Sequence, residues 1–77
     1  MSAISTSTTA IAAYAMKRSN ELQATIKVYY RITTDEFIAT APGSDAPANS
    51  QYIGAWVWTE QGSQWKQYVK HESKRME

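Results

Sequence analysis

Residues 53–69 read IGAWVWTEQGSQWKQYV, and they hold all three tryptophans of a 77-residue chain. Two runs rich in aromatic and β-branched residues flank the polar stretch EQGS, and this pattern predicts a β-hairpin. If the turn is centred on the Gln-Gly pair, Trp58 faces Trp65 across the hairpin, with Trp56 beside them on the same face. If Gly62 is instead the left-handed residue of a three-residue loop, the register shifts by one and Trp65 leaves that face.

The end of this stretch also fits a helix. A serine at its start is a suitable N-cap, and helical spacing places four apolar residues on one face: Trp65, Tyr68, Val69 and Met76. The sequence therefore leaves two alternatives open for residues 63–76, a strand or a helix.

Strands are also predicted before the hairpin. Residues 25–33, TIKVYYRIT, alternate between an apolar set (Ile26, Val28, Tyr30, Ile32) and a mixed set (Lys27, Tyr29, Arg31). This period of two indicates a strand of an antiparallel sheet that is covered on one face. A turn at Thr34 to Glu36 leads to a short strand over 37–40, and the loop 41–50 leads to a strand over 51–59. Gly54, inside that strand, predicts a bulge or a close approach of two backbones.

The amino-terminal third predicts a flexible tail and then a helix. Residues 1–8 are rich in Ser and Thr, and we expect Thr8 or Thr9 to cap the helix. Ile11, Tyr14, Ala15, Arg18 and Leu22 fall at helical spacing and predict one apolar stripe, interrupted by the charge on Arg18, while Lys17, Ser19 and Glu21 face water.

The predicted fold class is α+β, with one N-terminal helix packed on a small antiparallel sheet of about four strands. The domain spans residues 9–70, and residues 71–77 form a charged C-terminal tail. We expect the core to contain three helix residues (Ile11, Tyr14, Leu22), five strand residues (Ile26, Val28, Tyr30, Ile32, Phe37) and part of the tryptophan set.

Composition narrows the function classes. The chain has no Cys and a formal net charge of +1, so the fold depends on hydrophobic packing without disulfides or a cysteine zinc site. The first ten residues lack the basic and apolar regions of a secretory signal, and no run approaches the roughly 20 apolar residues of a membrane span. We therefore expect a cytoplasmic protein.

No group of residues predicts an enzyme. His71 is the single histidine, too few ligands for a metal site. Asp35 and Glu36 are adjacent, so they would point to opposite sides of a strand and not converge as a catalytic pair. No nucleophile elbow or phosphate loop is present. We expect no catalytic residue, metal or cofactor.

The favoured function is a non-enzymatic protein-binding module that occupies the surface of a partner protein. Trp and Tyr are enriched at binding hot spots, and the predicted partner-binding residues are Trp56, Trp58, Trp65 and Tyr68. Such a module would act as an inhibitor, an adaptor or an accessory subunit, roles that include small proteins of phages and mobile elements. Homo-oligomerisation is compatible with so small a core.

The alternative function is binding of single-stranded nucleic acid on a basic and aromatic sheet face. Tyrosines can stack bases while cations pair with phosphates. The predicted residues are Lys27, Tyr29, Arg31, Lys66 and Lys70. Stacking of sugars on the tryptophans ranks third.

Overall fold

The computed structural model describes residues 3–69. The elements are β1 (Ala3–Ser5), α1 (Thr8–Leu22), β2 (Ile26–Arg31), β3 (Glu36–Ala39), β4 (Gln51–Thr59) and β5 (Gly62–Gln67). The strands form one antiparallel sheet in the order β1-β3-β2-β4-β5, with α1 packed on one face. The α+β class with an N-terminal helix is therefore confirmed, with five strands where about four were expected. The predicted tail 71–77, with His71 and the neighbouring Lys70, lies outside the described residues.

The additional strand is β1, within the segment expected to be a flexible tail. Ala3 pairs with Ala39 and Ser5 pairs with Phe37, which places β1 at the edge of the sheet next to β3. Ser7 follows as the N-cap of α1, and its hydroxyl oxygen accepts a hydrogen bond from the backbone N–H of Ala10 at 3.2 Å. The expected cap at Thr8 or Thr9 is wrong by one residue or more, because both threonines are inside the helix.

The buried stripe of α1 is narrower than predicted. Ile11 and Ala15 are buried, but Leu22, in the last turn, is 43% exposed. Ser19 is buried, although we expected it to face water. The oxygen of its hydroxyl lies 2.7 Å from the carbonyl oxygen of Ala24 and 3.3 Å from that of Trp56, and its one proton is shared between these two acceptors. Because the serine side chain is small and its hydroxyl is hydrogen-bonded, the helix backbone can approach β4 closely.

The turn after β2 begins earlier than the alternation predicts. Ile32 was expected in the core, yet it is 77% exposed because the strand ends at Arg31. Asp35 has a left-handed backbone, with φ at 55°, and its carboxylate accepts a 2.6 Å hydrogen bond from the hydroxyl of Tyr30. This local hydrogen bond stabilises the turn, and the turn directs Ile32 away from the helix.

A bulge interrupts the pairing of β2 with β4. Val28 pairs with Gly54, but the next residue, Tyr29, pairs with Tyr52, so Ile53 is the extra residue of β4. The prediction from Gly54 of a bulge or close approach is confirmed.

Strand pairing settles the alternatives for the hairpin. Residues 62–67 form a strand, and the last pair before the turn is Thr59 with Gly62. Trp56 therefore pairs with Trp65, whereas Trp58 pairs with Ser63. The predicted direct pairing of Trp58 with Trp65 is wrong, because the two-residue turn is formed by the Glu-Gln pair one position earlier. Moving the turn by one residue shifts the strand register by two residues, and an even shift keeps all three indoles on one face.

The two faces of the sheet differ in what covers them. The helix-side face carries Ile26, Val28, Ala39 and Trp56, which pack with α1. The back face is the opposite one, which carries Tyr29 and Ala55. Residues 41–50 pass β2 to join β3 to β4, which run parallel with β2 between them. The Nε of Arg31 donates to the carbonyl oxygen of Ala48 at 3.3 Å and marks where this connection passes.

Candidate functional site

The most exposed tryptophan lies on the helix-side face, at the edge of the sheet. The rings of Trp56 and Trp65 lie 5.8 Å apart between centroids and are tilted by 54°, a favourable aromatic arrangement. Trp56 packs against the core, while Trp65 is 37% exposed. The pair thus connects the core to the surface of the sheet edge.

An open apolar cleft of about 400 Å³ lies between α1 and the sheet beside this pair. The helix contributes Thr8, Ile11 and Ala12, and the sheet contributes Val28, Phe37, Ile53, Trp56 and Trp65. We call this space the Trp cleft. Its volume falls in the lower range of ligand pockets, about 300–1,000 Å³. Apart from the indole N–H groups, Thr8 supplies the one polar side-chain group of this lining, so the cleft suits an apolar group and offers little to orient a polar substrate.

One polar atom of a residue that lines the Trp cleft has no partner among the described residues. The indole N–H of Trp56 is buried, and among the described residues no acceptor bonds to it. A buried, unpaired donor costs about 1–3 kcal/mol, a cost that this small core carries in order to keep the indole in the cleft wall.

The predicted partner-binding residues are divided between the two faces. Trp56 and Trp65 line the Trp cleft. Trp58 lies on the same face but nearer the turn, half-buried and opposite Ser63. Tyr68 lies on the back face and is 48% exposed. The structure therefore brings together two of the four and separates Tyr68 from them.

Sequence reasoning missed the aliphatic walls of the cleft. Ile11, Val28 and Phe37 were expected to be ordinary core residues, and Ala12 and Ile53 were assigned no role. The cleft arises from the way that α1 crosses the sheet, which no single-sequence pattern specifies. The one feature of the cleft that the sequence could indicate was the bulge at Ile53, which the neighbouring Gly54 predicted.

The back face carries a row of three tyrosines. The ring centroids of Tyr29 and Tyr52 lie 5.6 Å apart, and those of Tyr52 and Tyr68 lie 5.4 Å apart. Lys27 and Lys66 are exposed on either side of Ala55 on the same face. The residues of the nucleic-acid alternative therefore share one face, apart from Lys70, which lies outside the described residues.

Much of this face is unavailable to a base or a phosphate. Tyr29 is only 7% exposed. The guanidinium of Arg31 bonds to the carbonyl of Ala48 and lies 3.7 Å from the carboxylate of Glu36. Among residues 3–69, the accessible cations of this face are therefore Lys27 and Lys66, fewer than a phosphate-tracking groove normally uses.

Residues 3–69 contain no group of His, Cys, Asp and Glu that could hold a metal ion. In the same part of the chain, no helix has the length and apolar character needed to cross a membrane. No protein family model matches the chain, and neither the curated proteins nor the solved structures give a significant match. The site must therefore be interpreted from its own geometry.

Proposed function

We propose that this protein is a non-enzymatic protein-binding module and that the Trp cleft receives an apolar side chain of its partner. The observation that carries the proposal is the exposed Trp65 indole at the rim of an open apolar cleft. Exposed aromatic residues beside an apolar pocket are the usual composition of a binding hot spot.

The size of the cleft sets the strength of this anchor. Full burial of a Leu, Ile or Phe side chain contributes about 1.5–3 kcal/mol. One anchor of this kind gives only weak binding, so the partner must also contact the surface around Trp65. The proposed module therefore recognises a folded or extended protein segment, and an isolated side-chain analogue should bind the cleft only in the range of about 10 mM.

Inhibitor, adaptor and accessory subunit are all roles that such a module fills without chemistry of its own. In each of them the protein acts by covering a partner's surface. The proposal places the protein in the cytoplasm, a compartment in which a chain without cysteines needs no disulfide.

A pair of neighbouring alanines in α1 provides the test. Ala12 lines the Trp cleft, whereas Ala13 is exposed outside it. Ala12→Leu fills the cleft, and Ala13→Leu adds the same atoms to the solvent side of the helix. Circular dichroism melting of both variants first establishes that each is folded.

Proteins retained from a host extract by wild type and by Ala13→Leu, but not by Ala12→Leu, are candidate partners. The purified partner should then bind the Ala12→Leu variant at least about tenfold more weakly, the equivalent of about 1.4 kcal/mol. Equal affinity of wild type and Ala12→Leu would contradict the proposal.

Single-stranded nucleic-acid binding is the second candidate, favoured by exposed Lys27, Lys66 and Tyr68 on the back face. The test is anisotropy of a fluorescein-labelled oligouridylate at several salt concentrations. Affinity that falls steeply with salt, weakens in Lys66→Gln and is unchanged in Ala12→Leu would replace the first candidate by the second.

A further inference from the structure

The free edge of β5 presents backbone groups whose direction is fixed by the hairpin register. The backbone N–H of Tyr68 donates to the carbonyl of Ile53 in β4 at 3.0 Å. The backbone N–H and C=O groups of successive residues alternate in direction along a strand. The backbone groups of Gln64 and Lys66 therefore also point towards β4. Between them, the N–H and C=O groups of Ser63, Trp65 and Gln67 point outward, away from the sheet.

A contact from the helix confirms this alternation and closes one end of the edge. The side-chain oxygen of Asn20 accepts hydrogen bonds from the backbone N–H of Ser63 at 3.0 Å and from its hydroxyl at 2.8 Å. The backbone groups of Trp65 and Gln67 have no such cover: among the described residues, none bonds to them from outside the sheet. The open part of the edge is therefore centred on Trp65.

We propose that the partner docks by adding an extended segment to this edge of β5, in the manner of β-augmentation. The inference rests on the proposed function and specifies how the partner reaches Trp65. A strand added here would pair its backbone with the outward groups of Trp65 and Gln67.

Side chains of the added strand would point alternately to the two faces of the sheet. Those on the helix side contact the exposed indole of Trp65, beside the Trp cleft. Those on the back face lie opposite Lys66, which is exposed and forms no ion pair with the described residues. Opposite charges across neighbouring strands are stabilising. The fitting segment therefore has an apolar residue opposite Trp65 and an acidic residue next to it, opposite Lys66.

A second copy of this chain fits the edge less well. Antiparallel pairing of two β5 strands through Trp65 would bring the Lys66 side chains of both copies into a diagonal position, about 7–8 Å apart. Like charges at that distance repel, whereas a carboxylate would be attracted. Charge complementarity therefore favours an acidic segment of another protein.

The probe is an acetylated and amidated heptapeptide that alternates Glu with Leu or Phe, titrated into the full chain and followed by amide NMR. The proposed pairing is antiparallel, so the apolar residues directly opposite Trp65 have their own N–H groups pointing at β5. N-methylation of those residues should abolish binding, because it removes the pairing donors. N-methylation of the Glu residues leaves that edge intact and should preserve binding. Replacement of Glu by Lys should weaken it.

The protein offers a matched pair of variants. Gln67→Pro removes an N–H that points away from β4, so it leaves the ladder inside the sheet intact. Gln67→Ala removes the same side chain and keeps the N–H. We expect the peptide to bind Gln67→Pro at least about tenfold more weakly than Gln67→Ala. Lys66→Glu should reverse the preference between the Glu and Lys peptides.

Several results would overturn the inference. These are equal binding by both N-methylated peptides, equal binding by the two Gln67 variants, or no binding of the Glu peptide at about 1 mM. If any of these occurs while Ala12→Leu still abolishes binding of the natural partner, the Trp cleft stands and only the edge docking fails. Self-association in sedimentation that is lost in Gln67→Pro would assign the edge to a second copy and overturn the inference as well.

Discussion

The indole of Trp65 lies directly over Gly54, in the space that a side chain at that position would need. A Cβ atom built on Gly54 would lie 2.6 Å from the Cη2 atom of Trp65 and 2.8 Å from the carbonyl oxygen of Lys66. Only glycine therefore allows the indole to lie flat against β4. This close approach places Trp65 in the wall of the Trp cleft.

Gly54→Ala should displace the Trp65 indole and destabilise the fold by about 1–3 kcal/mol, the range for overpacking. The measurement is urea denaturation together with the near-ultraviolet circular dichroism of the tryptophans. Gly43→Ala is the control, because Gly43 has a positive φ of 80° but open space around it. It should cost stability through backbone strain and leave the tryptophan signal unchanged. An unchanged tryptophan signal in Gly54→Ala would contradict the packing described here.

Ser19→Ala should cost about 1–3 kcal/mol of unfolding free energy. The substitution removes the hydroxyl that donates to Ala24 and Trp56 and leaves two carbonyls without this donor. Ser44→Ala, in the exposed crossing loop, should change stability by less than about 0.5 kcal/mol. Equal effects of the two substitutions in thermal denaturation would mean that the buried hydroxyl does not join α1 to β4.

Gln23→Gly should stabilise the protein by about 1 kcal/mol. Gln23 caps the helix in the left-handed region, with φ at 52° and ψ at 48°, where a residue with a Cβ atom is strained and glycine is not. Gln23→Ala retains the Cβ atom and should have little effect. The comparison is made by urea denaturation, and a gain of stability in the alanine variant alone would refute the explanation.

Alkaline pH should weaken the turn between β2 and β3. The hydrogen bond to Asp35, then burial and the nearby carboxylate charge, raise the pKa of Tyr30 above its usual value. The folded protein holds this proton more tightly than the unfolded chain. The stabilisation is therefore full below the unfolded pKa of about 10 and is lost as pH rises through the folded pKa.

The test compares the wild type with Asp35→Asn, since Asn also tolerates the left-handed backbone at this position. Between pH 9 and pH 11.5, approximate limits set around the ordinary tyrosine pKa, the wild type should lose more stability than the variant. An equal loss of stability in the wild type and in Asp35→Asn would show that the hydrogen bond between Tyr30 and Asp35 does not cause the pH dependence.

The sequence predicted the fold class because periodicity and burial agree along most of the chain. Ile26 and Val28 alternate with polar residues and face the helix, as expected. The pattern failed where a local polar contact outweighed it. The bond between Tyr30 and Asp35 ends β2 before Ile32, and the satisfied hydroxyl of Ser19 allows a polar residue into the core.

The site was less predictable than the fold. The tryptophans were recognisable as candidates, but the hairpin register depends on a turn that differs by one residue from the one assumed, so Trp56 rather than Trp58 pairs with Trp65. Tyr68 was grouped with them by residue type, although alternation along β5 places it on the face of Lys66 and opposite that of Trp65. The Trp cleft itself requires the three-dimensional path of α1 over the bulge at Ile53.

Acceptance of an apolar side chain by the Trp cleft can be measured by methyl NMR, with N-acetyl-phenylalaninamide as the ligand. The methyl signals of Ile11, Val28 and Ile53 should shift on titration to about 50 mM ligand in the wild type and in Ala13→Leu, and these shifts should be absent in Ala12→Leu. Unchanged signals in the wild type, or equal shifts in all three proteins, would contradict it.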